Sequence, residues 1–388
     1  MTSRSVFHIG LLRLTDAAPL IIARELGCFA AENVDVSLSV EPSWANIADK
    51  LSFGLLDGAM LLPPLALALH LGLSGGGGPE PIVVPAALSL NGNTVTLAER
   101  WAGAILGSGI RMPAIETARR FRSLIRERAE KPVLAVVHTF STHNFLLRYW
   151  LAAGGVDPDR EVTFTVVPPA QTADALAAGK IDGFCAGAPW GAVAARAGIG
   201  RTVATSSAIW NHGTEKVFAV RRRIADEEPG RLQAALRAVL RAAAYCDDSA
   251  NAAAVAEILA QERYLGLPPE IIRTSLPGAT PDGDADVSVF LANAATFPWL
   301  SHAEWYLGQM RRWGYLDGAA DIASESAIFR PDLYARAAIS LGLPVPAGPR
   351  KNEGRHTAAW QLPASPLPIA MGPDQFMDGV CHDFVPFD

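Results

Sequence analysis

The stretch "FGLLDGAMLLPP" (Phe53–Pro64) returns in altered form as "GKIDGFCAGAPW" (Gly179–Trp190). In both, a helix-like run closes in a turn, Asp-Gly follows, and a short apolar run stops at Pro. The chain before each copy alternates strand and helix in the same order. "VFHIGLLRL", "VDVSLSVE" and "GAMLL" read as strands, separated by the helical stretches "APLIIARELGCFAAEN" and "SWANIADKLSFGLLD". "PVLAVVHT", "EVTFTVVP" and "IDGFCAGA" repeat the strands, and "THNFLLRYWLAAGG" and "AQTADALAAGK" repeat the helices. Pro19 suits a first helical turn, and Leu20, Ala23, Arg24 and Gly27 fall at helical steps. This order demands a mostly parallel sheet with helices on its faces. Two copies predict an α/β protein of two lobes around a cleft, with each Asp-Gly where the second helix turns into the third strand. Ligands of such sheets bind beyond the carboxyl ends of the strands, so "MLLPP" and "CAGAP" should face the cleft.

A chain of 388 residues is too long for one ordinary core and agrees with two lobes. With 50% hydrophobic and 19% charged residues it reads as a folded globular protein. The formal net charge of −6, with no basic stripe interleaved with aromatics, argues against direct nucleic-acid binding. Cys28, Cys185, Cys246 and Cys381 are scattered without CxxC pairing, so they read as reduced, mostly buried thiols. After Lys216 the chain is helix-rich, and "FPWLSHAEWYLGQMRRWGYL" carries a capping-box pattern at Ser301 and Glu304. From "GLPVPAGPRKNEGRH" onward Pro and Gly dominate. The expected division is 1–92 for the first part of lobe 1 and 93–210 for lobe 2. Residues 211–342 return to lobe 1 with a helical part, and 343–388 form a tail packed on the lobes.

Enzyme signatures are thin. "SGGGGP" lacks the Gly-Lys-Ser/Thr ending of a phosphate loop and follows a helix. "LGSGI" is not Gly-x-Ser-x-Gly. His138 and His143 are five apart, wrong for two metal ligands on one helix face. Asp57 and Asp182 read as turn residues rather than a catalytic pair. The expectation is a non-enzyme without metal or cofactor. The first residues hold no apolar signal core, and "AMLLPPLALALHLGL" is broken by Pro63 and Pro64 and falls short of the roughly 20 residues a membrane helix needs. These readings predict a cytoplasmic protein with no membrane segment.

One polar set stands out, because each member is read at a strand end or helix start. Trp44 lies in "EPSWAN", Asn93 in "LNGNTVT", and His143 opens "HNFLLRYW", where free backbone N–H groups and the macrodipole favour an anion. Gly187 follows the strand in "FCAGAPW", and Lys216 lies in "NHGTEKVFAV". Singly, these are a buried Trp, a turn Asn, a capping His, a turn Gly and a surface Lys. Together they supply N–H donors, a cation, an imidazole and an aromatic wall, the parts of a small-anion site.

The chain resembles the nitrate-binding and bicarbonate-binding proteins of ABC transporters, a branch of the type II periplasmic-binding fold. The resemblance runs through "LTDAAPLIIARELGCF", "EPSWANIADKLSFGLLDGAMLLPPLALAL", "LNGN", "RYWLAAGGVDPDREV", "IDGFCAGAPW", "MRRWGYL", "RPDLY" and "MGPDQFMDGV". It implies ligand-binding roles toward nitrate or nitrite for Trp44, Asn93, His143, Gly187 and Lys216. The amide position carries Gln in the transporter members, and Asn93 is one methylene shorter, which leaves two arrangements open, direct contact with the ligand or contact through a bridging water. An acidic residue supports a metal at the lysine position of the bicarbonate members, so Lys216 implies nitrate or nitrite without metal. Together with the missing leader, the likeness implies a cytoplasmic nitrate/nitrite sensor (NasS type). Such a sensor holds an RNA-binding antiterminator (NasT type) and releases it when ligand arrives. The alternatives are a transport receptor lacking its leader, or an enzyme on the same fold.

Overall fold

Among the described residues, ten strands build the two five-stranded sheets: β1 (Phe7–Leu11), β2 (Val36–Val40), β3 (Gly58–Leu61), β4 (Ile82–Leu90), β5 (Asn93–Ala98), β6 (Val133–Val136), β7 (Thr163–Val166), β8 (Gly183–Gly187), β9 (Gly200–Thr205) and β10 (Thr214–Arg221). The first sheet has the order β2-β1-β3-β10-β4 and the second β7-β6-β8-β5-β9. The structure is a computed structural model and describes residues 6–74, 80–107, 112–128, 130–279 and 285–384. All of "SGGGGP" after its serine, and the last three residues of "LGSGI", lie outside the described residues.

The two α/β lobes match the expectation, but the sheets are mixed rather than mostly parallel. β1 pairs in parallel with β2 and β3, and β6 with β7 and β8. β10 inserts antiparallel between β3 and β4, and β5 inserts antiparallel between β8 and β9. Each inserted strand begins just after the chain crosses from the other lobe, so it enters against the direction of the βαβ strands.

The echoed Asp-Gly has the same structural task in both lobes. The Asp57 amide donates to the His8 carbonyl at 2.8 Å, and the Asp57 carboxylate accepts the His8 amide at 3.0 Å. Asp182 does the same with Val133, at 2.7 and 2.8 Å. Each aspartate thus fastens the entry of the third strand to the first strand of its lobe, and the glycine that follows lets the sheet close. A Cβ on Gly58 would lie 2.9 Å from the Phe218 ring, and one on Gly183 would lie 2.3 Å from Leu97. Arg221 pairs with Asp57 at 2.5 Å, while Trp101 Nε1 donates to Asp182 at 2.6 Å and Arg100 pairs with it. Asp182→Ala strands the Val133 amide and the Trp101 N–H, and should cost about 2–3 kcal/mol. Urea unfolding checks this, with Asp182→Asn, which keeps one acceptor, expected to lose less.

Two segments cross between the lobes. Asn91 and Gly92 link β4 to β5, and residues 206–213 link β9 to β10. Asn91 and His212 adopt positive φ, 60° and 63°, and Gly92 has φ 93°. The Asn91 amide donates to Gly213 O at 3.1 Å, and His212 N donates to Asn91 Oδ1 at 3.0 Å, so the crossings are tied together. Asp286 gathers Gly92 N at 3.0 Å and the Ser206 and Ser207 hydroxyls at 2.5 and 2.6 Å.

Helix Pro229–Asp247 buries Leu232, Leu236, Val239, Leu240 and Ala243 against helices Ala18–Glu25 and Pro331–Ser340 behind the first sheet. The capping box at Ser301 and Glu304 is not formed. Helix Leu300–Arg312 starts at Trp299 without a side-chain cap; Ser301 Oγ accepts the Lys351 amide instead, and Glu304 pairs with Arg350. The tail has captured both polar groups. The first helix also breaks at Gly27, where φ is 71°, into Ala18–Glu25 and Cys28–Ala31. Cys185 and Cys246 are buried, Cys28 is half-buried and Cys381 is exposed, and all four are free thiols, so burial holds for only two.

The tail straps across the crossings. Asn211 N donates to Gln375 O and Met377 N to Ile209 O, both at 2.9 Å. Phe376 stacks on Trp210 with ring centroids 5.2 Å apart. Among the described residues no helix is long and apolar enough to cross a membrane.

Candidate functional site

The lobes are closed on one another at the carboxyl ends of β1 and β8. The Thr15 amide donates to Ala188 O at 2.9 Å, and Trp190 Nε1 donates to Arg13 O at 3.1 Å. Behind these contacts lies the predicted polar set. Trp44, Asn93, His143 and Lys216 are fully buried, with zero exposure.

Each residue is delivered by a local device. Trp44 opens helix Trp44–Ser52, whose N-cap Ser43 accepts the Asn46 amide at 3.2 Å. His143 lies in the first turn of helix Thr142–Ala153, whose N-cap Ser141 accepts the Asn144 amide at 3.0 Å. One lobe supplies the first helix start and the other lobe the second, and both positive dipole ends favour negative charge. Asn93 is the first residue of β5, opposite Gly187 on β8. A Cβ on Gly187 would lie 3.2 Å from Leu14, 3.5 Å from Asn93 Oδ1 and 3.6 Å from His143 Nε2, so the bare glycine keeps that approach open.

Lys216 differs from its sequence reading. It sits inside β10, not at a strand end, and is a buried cation rather than a surface lysine. Its Nζ lies 2.7 Å from Asp16 Oδ2, pairs closely with Glu215 and lies 5.7 Å from the Trp44 ring centroid. The structure therefore brings all five predicted residues together, and adds two carboxylates that sequence reasoning missed. Asp16 lies in the apolar segment "LTDAAPL", where a buried acid was the available signal. Glu215 neighbours Lys216 in a strand, so simple alternation would place the two on opposite faces. A register shift in β10 between Thr214 and Lys216 removes that alternation, and both side chains are buried in one cluster.

Glu215 is the hub of the cluster. Thr142 Oγ1 donates to it at 2.9 Å, Asn93 Nδ2 donates to it closely, and His143 Nε2 lies 3.3 Å from its Oε1. The shorter amide of Asn93 is thus engaged with Glu215 through its nitrogen. Burial pushes the Glu215 carboxyl up to about 7, with Lys216 opposing and Asp16 adding to the rise. Burial likewise raises the Asp16 carboxyl against the pull of Lys216. Burial, then the Lys216 charge, hold His143 well below the usual imidazole range, so it is a neutral ring. The Lys216 ammonium is held above its ordinary value because its two carboxylates outweigh desolvation.

Several buried polar atoms in the cluster have no hydrogen-bond partner among the described residues: Trp44 Nε1, His143 Nε2, Asn93 Oδ1 and Asp16 Oδ1. Buried polar groups are ordinarily satisfied, and two unpartnered N–H-type groups beside a buried ammonium suit an acceptor-rich anion. Among the described residues, no group of three His, Cys, Asp or Glu side chains is placed to hold a metal ion.

The NMT1-like family matches residues 3–260. The nitrate/nitrite binding protein NrtA of Synechocystis is 30% identical over 389 residues, covering 97% of this chain and 81% of that protein. The nitrate import ATP-binding protein NrtC of Synechocystis is 35% identical over 372 residues, covering 92% of this chain; the chain spans about half of that relative's length, 54%. The crystal structure of the periplasmic nitrate-binding protein NrtA from Synechocystis superposes with a TM-score of 0.84 at 28% identity, covering 97% of this chain and 95% of that one. By sequence and by fold, the chain belongs to the NMT1-like family, among the nitrate- and bicarbonate-binding proteins of ABC transport that share the type II periplasmic-binding fold.

Proposed function

We propose that this chain binds nitrate or nitrite between its lobes as the substrate-binding component of an ABC-type import system. One observation carries the reading: a fully buried lysine, flanked by unpartnered indole and imidazole nitrogens, sits where two helix starts from opposite lobes converge. In the proposed complex Lys216 supplies the charge, neutral His143 and Trp44 donate N–H groups, Gly187 keeps the approach open and Asn93 positions the cluster. The names of the relatives support the anion and the import role. They name transport components, which also supports a binding rather than a catalytic role.

The regulatory reading, in which the chain holds a NasT-type antiterminator in the cytoplasm, shares this binding step. Relatives named for import favour the transport reading over it.

Titration calorimetry with nitrate, nitrite, bicarbonate and chloride at slightly acidic pH tests the proposal. Saturable one-to-one binding of nitrate or nitrite is expected. Chloride should bind at least about a hundredfold more weakly, because one sphere cannot meet donors spread across both lobes and so forgoes one or more charged hydrogen bonds. Absence of heat with both nitrogen oxyanions, or tighter binding of bicarbonate, overturns it.

A further inference from the structure

The site that must hold an anion already contains two carboxylates and one ammonium. Asp16 and Glu215 both pair with Lys216, and all three are buried. The other titratable groups facing Glu215 are neutral. His143 is held in its neutral form by burial and the lysine charge, and burial keeps the Cys185 thiol and the Tyr306 hydroxyl protonated. With both acids ionised, the cluster carries one excess negative charge before any ligand arrives. An anion drawing on Lys216 would then meet two like charges in a dry cleft, a repulsion that ordinarily forces one group to take a proton.

We propose that each nitrate bound at this site takes up one proton from solvent, and that Glu215 carries it. This rests on the oxyanion reading given above. The choice between the two acids follows from placement. Glu215 lies 3.3 Å from His143 Nε2, one of the donors assigned to the anion, and accepts from Asn93 Nδ2 and Thr142 Oγ1, so its protonated form gains an O–H beside the anion where a donor is needed. Asp16 keeps its 2.7 Å pair with Lys216 and holds the ammonium in place. The raised Glu215 carboxyl, at about 7, agrees with a group poised to accept the proton near neutrality. The sign follows. Below about 7 Glu215 is already protonated, nothing is taken up, and affinity is flat. Above 7, binding must recruit the proton, so affinity falls tenfold for each further pH unit until the carboxyl of the complex itself ionises.

The test is nitrate calorimetry in paired buffers of different ionisation heat, which counts protons directly in the wild-type protein. Uptake close to one proton per nitrate is expected about 1.5 units above the Glu215 midpoint, and close to none the same distance below it. Glu215→Gln should abolish uptake and flatten the pH profile, whereas Asp16→Asn should leave the uptake in place. Nitrate binding with no proton uptake at alkaline pH overturns the proposal, and so does uptake that persists in Glu215→Gln. A protein that gives no nitrate heat at any pH instead defeats the underlying oxyanion reading, which keeps the two failures apart.

Discussion

Lys216→Ala is expected to weaken nitrate binding by at least about a hundredfold. A charged hydrogen bond to the anion contributes about 1.5–3 kcal/mol, and its loss alone accounts for roughly tenfold to hundredfold. The surrounding carboxylates add to this. Without the ammonium, Asp16 and Glu215 face each other in a buried site, and an anion entering there meets the carboxylates with no cation to offset them. The same reasoning predicts that the variant regains some affinity as pH falls, since protonating both acids removes the repulsion. Circular dichroism and urea unfolding separate lost binding from lost folding. The variant should be less stable at neutral pH than at pH 5, where the stranded acids are neutral. Affinity within about threefold of wild type, a difference of roughly 0.6 kcal/mol, would remove Lys216 from the site.

The second large effect concerns a different buried cluster, where the tail is anchored. Glu353 is fully buried, 2.6 Å from Lys351 Nζ and 3.0 Å from His302 Nε2. His302 in turn bonds Thr214 at the start of β10, next to Glu215, and Tyr306 donates to the Thr214 carbonyl at 2.7 Å. The tail therefore grips the strand that carries Lys216. Glu353→Ala leaves the Lys351 ammonium buried without its partner and should destabilise the protein by about 3–5 kcal/mol at neutral pH. Burial alone would raise the Glu353 carboxyl, but Lys351 and His302 outweigh it and hold it at about 2, below its ordinary 4.5. A depressed carboxyl stabilises the fold fully above its unfolded value and loses that contribution as pH falls through the folded one. The gap between wild type and Glu353→Ala should therefore be constant above pH 4.5 and narrow toward pH 2. Urea midpoints across this range measure it, and a gap below about 1 kcal/mol at neutral pH would mean the tail contributes little.

The features legible in the sequence are those set by short-range chemistry. The order of strands and helices within each βαβ unit, the echoed Asp-Gly and the helix starts at Trp44 and His143 all follow from local pattern. The five-residue polar set follows too, because four of its members sit at element ends, where βαβ topology points them into the cleft. Features set by distant partners were not legible. Glu215 was not legible because regular alternation would put it on the face opposite Lys216; the register shift beside Lys216 depends on pairing with β4, far away in sequence. Asp16 looked like one acid in an apolar stretch until Lys216 arrived from residue 216 to meet it. Ser301 and Glu304 have the spacing of a capping box, yet Lys351 and Arg350 claim them from the tail. The helix expected through Gly27 breaks there because that residue adopts φ 71° and turns the chain into a second short helix.

One oxyanion is expected to sit against Lys216 in the closed cleft. A crystal structure of the protein grown with nitrate at slightly acidic pH tests it most directly. A planar anion is expected within hydrogen-bond distance of Lys216 Nζ, His143 Nε2 and Trp44 Nε1, beside Gly187, with the lobes closed. A saturated crystal in which nitrate lies elsewhere, or in which Lys216 remains paired to both Asp16 and Glu215 with no anion against it, would remove the oxyanion from this cleft.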